Sequence, residues 1–239
     1  METTEGHLLG GRVRYAQPRA GFRSGIEPVL LAAFLPARAG EFVLEGGSGA
    51  GAGLLCLAAR VPGLRGMGIE QDPALVALAR ANADANAQAG LTFQEGDIRH
   101  AAGDFDHAFA NPPYHPAGGT ASPDPGREDA KRAGPGALAA WTEALGRHLR
   151  PRGTLTLILP AGGAPEVLAA MAAAGVGGGV LLPLWPKPGR AAKLVLLRGT
   201  KGGKAPFRVL AGLTLHQAEG GFTMEAEKIL RDGAALSSD

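Results

Sequence analysis

The fold is decided by one stretch, Glu41-Phe42-Val43-Leu44-Glu45-Gly46-Gly47-Ser48-Gly49-Ala50-Gly51. Residues 41–44 predict a short buried strand, the glycines that follow predict a loop, and the apolar run from Gly53 to Arg60 predicts a helix. A strand, a glycine-rich loop and a helix in this order let a ligand approach the backbone closely and direct a helix N-terminus toward it. The stretch therefore predicts the first unit of a ligand-binding α/β sheet.

Strands and helices alternate on both sides of this stretch. Upstream, residues 12–15 predict a short strand, and residues 29–34 predict a helix with Pro28 in its first turn. Downstream, strands are predicted at 66–69, 91–95, 105–110 and 154–159, and helices at 73–86, 137–149 and 165–174. A closing hairpin is predicted at 180–185 and 193–197, followed by one or two short strands within 207–215. The last predicted element is a tail helix capped by Thr223. This order predicts an α/β protein whose mainly parallel sheet is covered by helices on both faces.

Polar side chains follow four of the predicted strands, either directly or after one glycine. They are Glu45, Glu70, Asp97 and Asn111. Ligands of parallel sheets bind at the carboxyl ends of the strands, so we expect these four side chains to meet at one edge. A single carboxylate at a strand end is often only a solvated or turn residue. The shared position of all four is what indicates a binding site.

The last of these strands runs into Asn111-Pro112-Pro113-Tyr114. Each proline restricts the residue before it to an extended backbone, which makes the segment stiff. The Asn111 side chain and the Pro112 carbonyl supply hydrogen-bond acceptors, and Tyr114 supplies a flat apolar face. An isolated Asn-Pro pair is usually a turn. Together, these four residues predict a binding place for a planar group that carries an NH2, such as a nucleobase amine or a carboxamide.

Two cofactors compete for the glycine loop. Gly47-Ser48-Gly49-Ala50-Gly51-Ala52 fits the dinucleotide pattern G-x-G-x-x-G/A, and Glu70 follows at the distance expected for a ribose acceptor. Glu45, however, would repel a pyrophosphate and attract the positive charges of S-adenosylmethionine. The Asn-Pro-Pro-Tyr segment also has no role in hydride transfer. We therefore favour S-adenosylmethionine over a nicotinamide dinucleotide.

These motifs resemble those of the class I, S-adenosylmethionine-dependent methyltransferases, in the amino-methylating branch. The segments from Gly21-Phe22-Arg23 to Leu31 and from Gly221-Phe222-Thr223 to Arg231 also resemble the bacterial family that methylates N6 of adenine 37 in valine tRNA. The resemblance implies a Rossmann-like fold, with a mainly parallel seven-stranded sheet and a terminal antiparallel hairpin. The family commonly has Asp where Glu27 stands and an apolar residue where Gly46 stands. A glycine at position 46 would loosen the loop.

The resemblance also implies roles for individual residues. Glu45 and the loop glycines would hold the methionyl part of the donor, Glu70 its ribose, and Asp97 with Ile98 its adenine. The full set implied to bind the cofactor is Arg23, Glu45, Gly46, Gly47, Gly49, Gly51, Glu70, Gln71, Asp97, Ile98 and Asn111. Asn111, Pro112, Pro113 and Tyr114 would hold the target amine and its base. His115 follows without a visible carboxylate partner, so we interpret it as a loop residue rather than a base.

The formal net charge of +2 hides an asymmetry along the chain. Residues 111–218 carry 13 basic and 5 acidic side chains, whereas residues 1–110 carry 9 and 12. Within this basic part, residues 187–208 contain seven basic side chains and no acidic one: Lys187, Arg190, Lys193, Arg198, Lys201, Lys204 and Arg208. A charge run is often only a solvated face. Here it predicts contacts with an RNA backbone, and we favour that of tRNA.

Three substrates fit this reading. The first is N6 of an adenine in tRNA; the second is the side-chain amide of a glutamine in a protein such as a release factor; the third is another RNA base, such as N2 of a guanine in rRNA. A non-catalytic protein that retains the fold is a fourth alternative, against which the intact Asn111 segment argues. We expect no metal and, for the oligomeric state, a monomer.

The remaining expectations concern organisation and location. Residues 1–36 would complete the cofactor site, 37–200 would form the methyltransferase core, and 201–239 would pack on it, while residues 115–136 would form a mobile lid. Cys56 is the only cysteine, which excludes an internal disulfide and favours a reducing cytoplasm. No apolar run reaches transmembrane length, so no membrane partner is expected.

Overall fold

A computed structural model describes residues 1–21, 23–113 and 136–237. Its strands are β1 (Thr3–Leu8), β2 (Val13–Pro18), β3 (Phe42–Gly46), β4 (Arg65–Glu70), β5 (Leu91–Glu95), β6 (Phe105–Ala110), β7 (Leu149–Pro160), β8 (Val176–Trp185), β9 (Leu194–Lys201), β10 (Arg208–Val209) and β11 (Leu213–Thr214). Its helices are α1 (Glu27–Phe34), α2 (Ala52–Arg60), α3 (Pro73–Ala85), α4 (Ala137–Arg147), α5 (Ala164–Ala173) and α6 (Met224–Asp232). The predicted lid lies almost wholly outside the described residues.

The main sheet confirms the predicted fold class. In the described part of the chain its strand order is β10-β8-β9-β7-β6-β3-β4-β5, and β11 also pairs with β8. Strands β3 to β7 are parallel neighbours, and β9 runs antiparallel between β7 and β8. The seven expected strands are therefore present. The two-residue strands β10 and β11 extend the sheet beyond β8.

Two apolar layers cover the faces of the sheet. Alternation along a strand sends neighbouring residues to opposite faces. Val43 accordingly joins the cluster under α1, α2 and α3, whereas Leu44 joins the cluster under α4 and α5. The first cluster also contains Leu9, before β2, and Leu236, after α6, so all three expected segments of the chain contribute to one core.

Some boundaries differ from the sequence expectations. The predicted strand at 12–15 is part of β2, which pairs antiparallel with β1 in a separate two-stranded sheet. β1 was missed because its sequence, TTEGHL, is polar and largely exposed and carries no periodic signal. The helix predicted at 137–149 ends at Arg147, because Leu149 already pairs with Phe105 as part of β7.

The tail helix begins as predicted. Thr223 caps α6 by accepting the Ala226 amide through its hydroxyl, at 3.1 Å, and Gly233 ends the helix in the left-handed conformation. Beyond it, the Leu236 amide donates to the Ala33 carbonyl of α1 at 2.9 Å. None of the described helices is long and apolar enough to cross a membrane.

Candidate active site

The glycine loop leaves β3 and turns sharply into α2. Gly49 and Gly51 have φ values of 53° and 87°, a left-handed backbone that glycine adopts without strain. The Ser48 amide donates to the Ile69 carbonyl of β4 at 3.1 Å, which ties the loop to the neighbouring strand. A Cβ atom built on Gly49 would meet no atom within 4 Å, so this side of the loop is open to a ligand.

Glu45 lies buried beneath this loop. Its side chain is only 6% exposed, and its carboxylate accepts the Leu54 amide of α2 at 3.1 Å. Burial raises its pKa to about 8; the charge of Glu70 adds to this rise, and the hydrogen bond from Leu54 opposes it. A buried carboxylate of this kind gains a charge easily only when a positive group comes near it. Glu45 is thus suited to a cationic ligand.

Glu70 ends β4 and is held by three backbone amides. Its Oε2 accepts from Gly49 at 2.9 Å, and its Oε1 accepts from Gln71 at 2.7 Å and from Asp72 at 3.0 Å. Because a carboxylate oxygen offers two lone pairs, Oε2 retains one acceptor position. This carboxylate is therefore fixed in place, with capacity for a hydroxyl group. Gln71 is exposed beside it.

Asp97 and Ile98 follow β5, where the sequence predicted an adenine contact. Asp97 caps a short 3-10 helix through the Arg99 amide at 2.8 Å and also pairs with the Arg99 guanidinium. The guanidinium is the main cause that lowers the pKa of Asp97 to about 2. Ile98 is buried in the cluster under α4. Asp97 is thus an ionised, anchored acceptor at the same sheet edge.

Asn111 stands next to the glycine loop. Ala110 pairs with Gly46 in the parallel register of β6 and β3, so the chain leaves both strands side by side. Asn111 is exposed, Pro112 is buried and Pro113 is half-buried. The Asn111 side chain is thus accessible beside the glycine loop. Tyr114 and His115 lie outside the described residues.

Trp141 of α4 is a site residue that sequence reasoning missed. Its indole lies against the loop, because Cβ atoms built on Gly46 and Gly47 would approach it to 3.0 and 2.9 Å. Leu145 and Ile98 also crowd the Gly46 position. Neighbouring side chains thus fill the space that an apolar side chain at position 46 would take. An aromatic in the first described helix after Asn111 was the available signal.

Arg23 follows the β1–β2 hairpin in the chain. Its guanidinium donates to the Thr4 hydroxyl at 3.1 Å and to the Pro18 carbonyl at 3.2 Å. These bonds secure the β1–β2 hairpin. Phe22 lies outside the described residues.

The structure divides the seven basic residues into groups. The C-terminal end of β8 and the N-terminal end of β9 lie at the edge that carries the glycine loop, since Leu194 pairs with Pro160 at the end of β7. The loop between them presents three exposed side chains, those of Lys187, Arg190 and Lys193, and we call it the basic loop. The loop runs from β8, three strands away from β6, to β9, two strands away, so its nearer end lies roughly 10 Å from β6 along the sheet edge.

The other four basic residues do not gather at that edge. Arg198 donates to the Phe34 carbonyl at 2.7 Å and lies over the Phe34 ring, while the Lys201 ammonium donates to the carbonyls of Gly146 and Ala174 at 2.9 and 2.8 Å. Lys204 and Arg208 are exposed, Lys204 beyond the opposite end of β9 and Arg208 on the outer strand β10. Their positions along β9, beyond its end and on β10 separate these four residues from the basic loop.

Comparisons with known proteins decide the family. The family described as "Methyltransferase small domain" matches residues 27–124. A tRNA1(Val) (adenine(37)-N6)-methyltransferase from Aeromonas hydrophila is 32% identical over 187 residues, which are 77% of this chain and 79% of the relative. This chain is a class I methyltransferase of the same family.

Two further proteins are similar to this methyltransferase, one in sequence and one in structure. A release factor glutamine methyltransferase from Rhodospirillum rubrum is 37% identical over 141 residues, 54% of this chain and 42% of that relative. The crystal structure of a predicted O-methyltransferase from Agrobacterium tumefaciens superposes with a TM-score of 0.74 at 24% identity, over 89% of this chain and 99% of that one, and so shows the shared fold.

The methyl donor of this enzyme is S-adenosylmethionine, and the residues at the sheet edge fit it. The open side of Gly49 leaves room over the loop, Glu45 suits a positive charge, and Glu70 retains an acceptor for a hydroxyl group. No group of three or more His, Cys, Asp or Glu side chains in the described ranges could hold a metal ion.

Proposed function

We propose that this methyltransferase transfers a methyl group to the N6 amine of an adenine in tRNA. The observation that carries the proposal is the register of Ala110 with Gly46, which sets the exposed Asn111 beside the glycine loop. An amine bound at Asn111 would lie next to a donor held by that loop. The tRNA-methylating relative, which spans most of this chain, supports the choice of adenine.

Asn111 and Pro112 would act by positioning the amine. The Asn111 side-chain carbonyl and the Pro112 backbone carbonyl accept its two hydrogens. This favours a geometry in which the nitrogen lone pair, otherwise delocalised into the ring, can point at the methyl group of the donor. S-adenosylmethionine supplies, when bound, a methyl group on a positively charged sulfur. The same two acceptors stabilise the positive charge that develops on the nitrogen.

The chain does not need to supply a strong base for this transfer. The methylated nitrogen is acidic, and its extra proton can pass to water from the exposed Asn111 position. The base must leave its stack to reach the site, which is easier for a loop nucleotide than for one in a duplex. Tyr114 would stack on this base, as the resemblance to the amino-methylating enzymes implies.

The basic loop would hold the RNA backbone. Lys187, Arg190 and Lys193 lie at the sheet edge that carries Asn111, whereas the other basic residues of the run do not. Neutralised phosphates release counterions, so binding through this loop falls steeply as salt rises. Few aromatic side chains accompany it, so it contacts the backbone rather than reading the bases.

One observation favours a second candidate. The relative from Rhodospirillum rubrum acts, by its name, on a glutamine of a release factor, and its match includes part of this chain only. A carboxamide would meet the same two acceptors at Asn111 and Pro112. Against it, the basic loop offers nothing to a neutral peptide.

A transfer assay separates the candidates. The enzyme is incubated with methyl-labelled S-adenosylmethionine and bulk tRNA, ribosomal RNA or a purified release factor, and the labelled product is digested and identified by mass spectrometry. We expect label in tRNA as N6-methyladenosine. Label on release factor glutamine or on guanine would overturn the proposed substrate. Asn111→Ala should abolish transfer and retain binding of S-adenosylhomocysteine, whereas unchanged turnover would refute the role of Asn111.

A further inference from the structure

Asn82 of α3 and Asn86, the C-cap residue directly after α3, pair with the N-terminal hairpin as a neighbouring strand would. The Asn82 amide accepts from the Ala16 amide at 2.9 Å and donates to the Ala16 carbonyl at 2.8 Å. The Asn86 amide does the same with the amide and carbonyl of Arg14, at 2.9 and 2.7 Å. The outer edge of β2 is thus paired with side chains at Arg14 and Ala16.

The spacing explains how a helix can pair with a strand. Residues four apart on a helix advance about 6 Å, and residues two apart on a strand advance about 6.7 Å. Asn82 and Asn86 therefore lie opposite Ala16 and Arg14. Each side-chain amide offers a donor and an acceptor side by side, as a backbone amide pair does.

Asn82 makes one further contact that Asn86 does not make. Its Nδ2 also donates to the Ala50 carbonyl of the glycine loop at 2.9 Å, whereas the second bond of Asn86 Nδ2 goes to the Asn82 carbonyl within α3. Asn82 is 3% exposed, so its amide has no access to water as an alternative partner. Ala50 lies between the two glycines, Gly49 and Gly51, whose left-handed backbone shapes the loop.

We propose that Asn82 is a positioning residue for the methyl donor, which fixes the glycine loop and couples its shape to the seating of the β1–β2 hairpin. A glycine-rich loop has many conformations in the absence of such a contact. Holding it in the binding conformation beforehand reduces the ordering that ligand binding would otherwise require. This inference rests on the proposed role of the glycine loop in holding the donor.

The test compares Asn82→Ala with Asn86→Ala by calorimetric titration with S-adenosylhomocysteine. Both variants lose the pairing with β2, but only Asn82→Ala loses the bond to Ala50. We expect Asn82→Ala to weaken binding about tenfold and Asn86→Ala to leave it within about twofold. Asn82→Asp keeps the acceptor for the Ala16 amide but loses both donated bonds, so it should weaken binding as well.

The outcomes separate the two proposals. If the unmodified protein does not bind S-adenosylhomocysteine, the loop is not the donor site and both fail. If it binds, and both variants bind equally well, Asn82 only docks the hairpin and this inference alone is overturned. The KM for S-adenosylmethionine should rise in Asn82→Ala while turnover at saturating donor changes little.

A second measurement covers the case in which Asn82→Ala does not fold. Hydrogen exchange of the unmodified protein is followed at the Ala16 amide, with and without S-adenosylhomocysteine. The coupling through Asn82 predicts slower exchange at Ala16 when the ligand is present. An Ala16 exchange rate that the ligand leaves unchanged would overturn the inference.

Discussion

The Glu70 carboxylate accepts the amide hydrogen of Gly49 at 2.9 Å, which joins the acidic end of β4 to the glycine loop. The bond gives Glu70 a part in shaping the loop, in addition to its expected contact with the ribose. Removing the Glu70 side chain would abolish both roles at once and so could not distinguish them. An isosteric change is needed.

Glu70→Gln should weaken binding of S-adenosylhomocysteine about tenfold or more. All three backbone partners of Glu70 are donors, so an amide NH2 facing any of them leaves that donor unpaired, at a cost of about 1 to 3 kcal/mol. Isothermal titration measures the loss. Glu95→Gln is the matched control, since Glu95 pairs with Glu70 in the adjacent strand and is exposed. Equal affinities in the two variants would count against this role.

Donor binding should strengthen as pH rises toward 8. Burial raises the pKa of Glu45 to about 8, so near neutrality it is largely protonated, and a cationic ligand must first draw off the proton. Titrations in buffers of different ionisation enthalpy should reveal proton release on binding below pH 8. Glu45→Gln should remove that release; if it persists, the proton comes from elsewhere.

Glu45 should also make the free energy of unfolding decrease as the pH rises. Its folded pKa lies above the ordinary value of 4.5, so the folded state binds the proton more tightly than the unfolded state does. Its contribution is complete below about pH 4.5 and is lost between there and about pH 8. Denaturant unfolding of the protein without ligand should show this decline, and Glu45→Gln should flatten it.

The edge of the sheet was predictable from the sequence, but its internal contacts were not. Alternating and apolar runs located β3 to β6, and parallel strands necessarily bring Glu45, Glu70 and Asn111 to one edge. Asn82 and Trp141 were missed because they sit in helices, where they follow no strand end or loop motif. Their roles depend on what α3 and α4 pack against, which is a long-range property.

Trp141 should report donor binding by fluorescence. The chain has two tryptophans, so Trp185→Phe leaves Trp141 as the only one. Because its indole lies against Gly46 and Gly47, S-adenosylhomocysteine bound on the loop should change its emission. The converse variant, Trp141→Phe, should show little change on titration. If Trp141 emission does not change at saturating S-adenosylhomocysteine, the donor does not bind near this indole.

The basic loop should account for most of the salt-dependent binding of tRNA. Changing Lys187, Arg190 and Lys193 to Gln removes three charges and should reduce the slope of log K against log salt by about 2 to 3. Filter binding at several salt concentrations measures the slope. The control changes Arg38, Lys204 and Arg208 to Gln; these are equally exposed residues away from the basic loop. A larger decrease of the slope in the control variant would indicate that the RNA binds another face of the protein.

Lys201 should behave as a structural residue in spite of its charge. Its ammonium caps the C-terminal carbonyls of two helices at once, at Gly146 and Ala174, where the negative ends of the helix dipoles lie. Lys201→Met keeps most of the stem and removes both bonds, so it should lower the free energy of unfolding by about 2 kcal/mol. Its tRNA affinity at low temperature should match that of the unmodified protein. An unchanged unfolding midpoint together with weakened tRNA binding would instead show that Lys201 contacts the RNA.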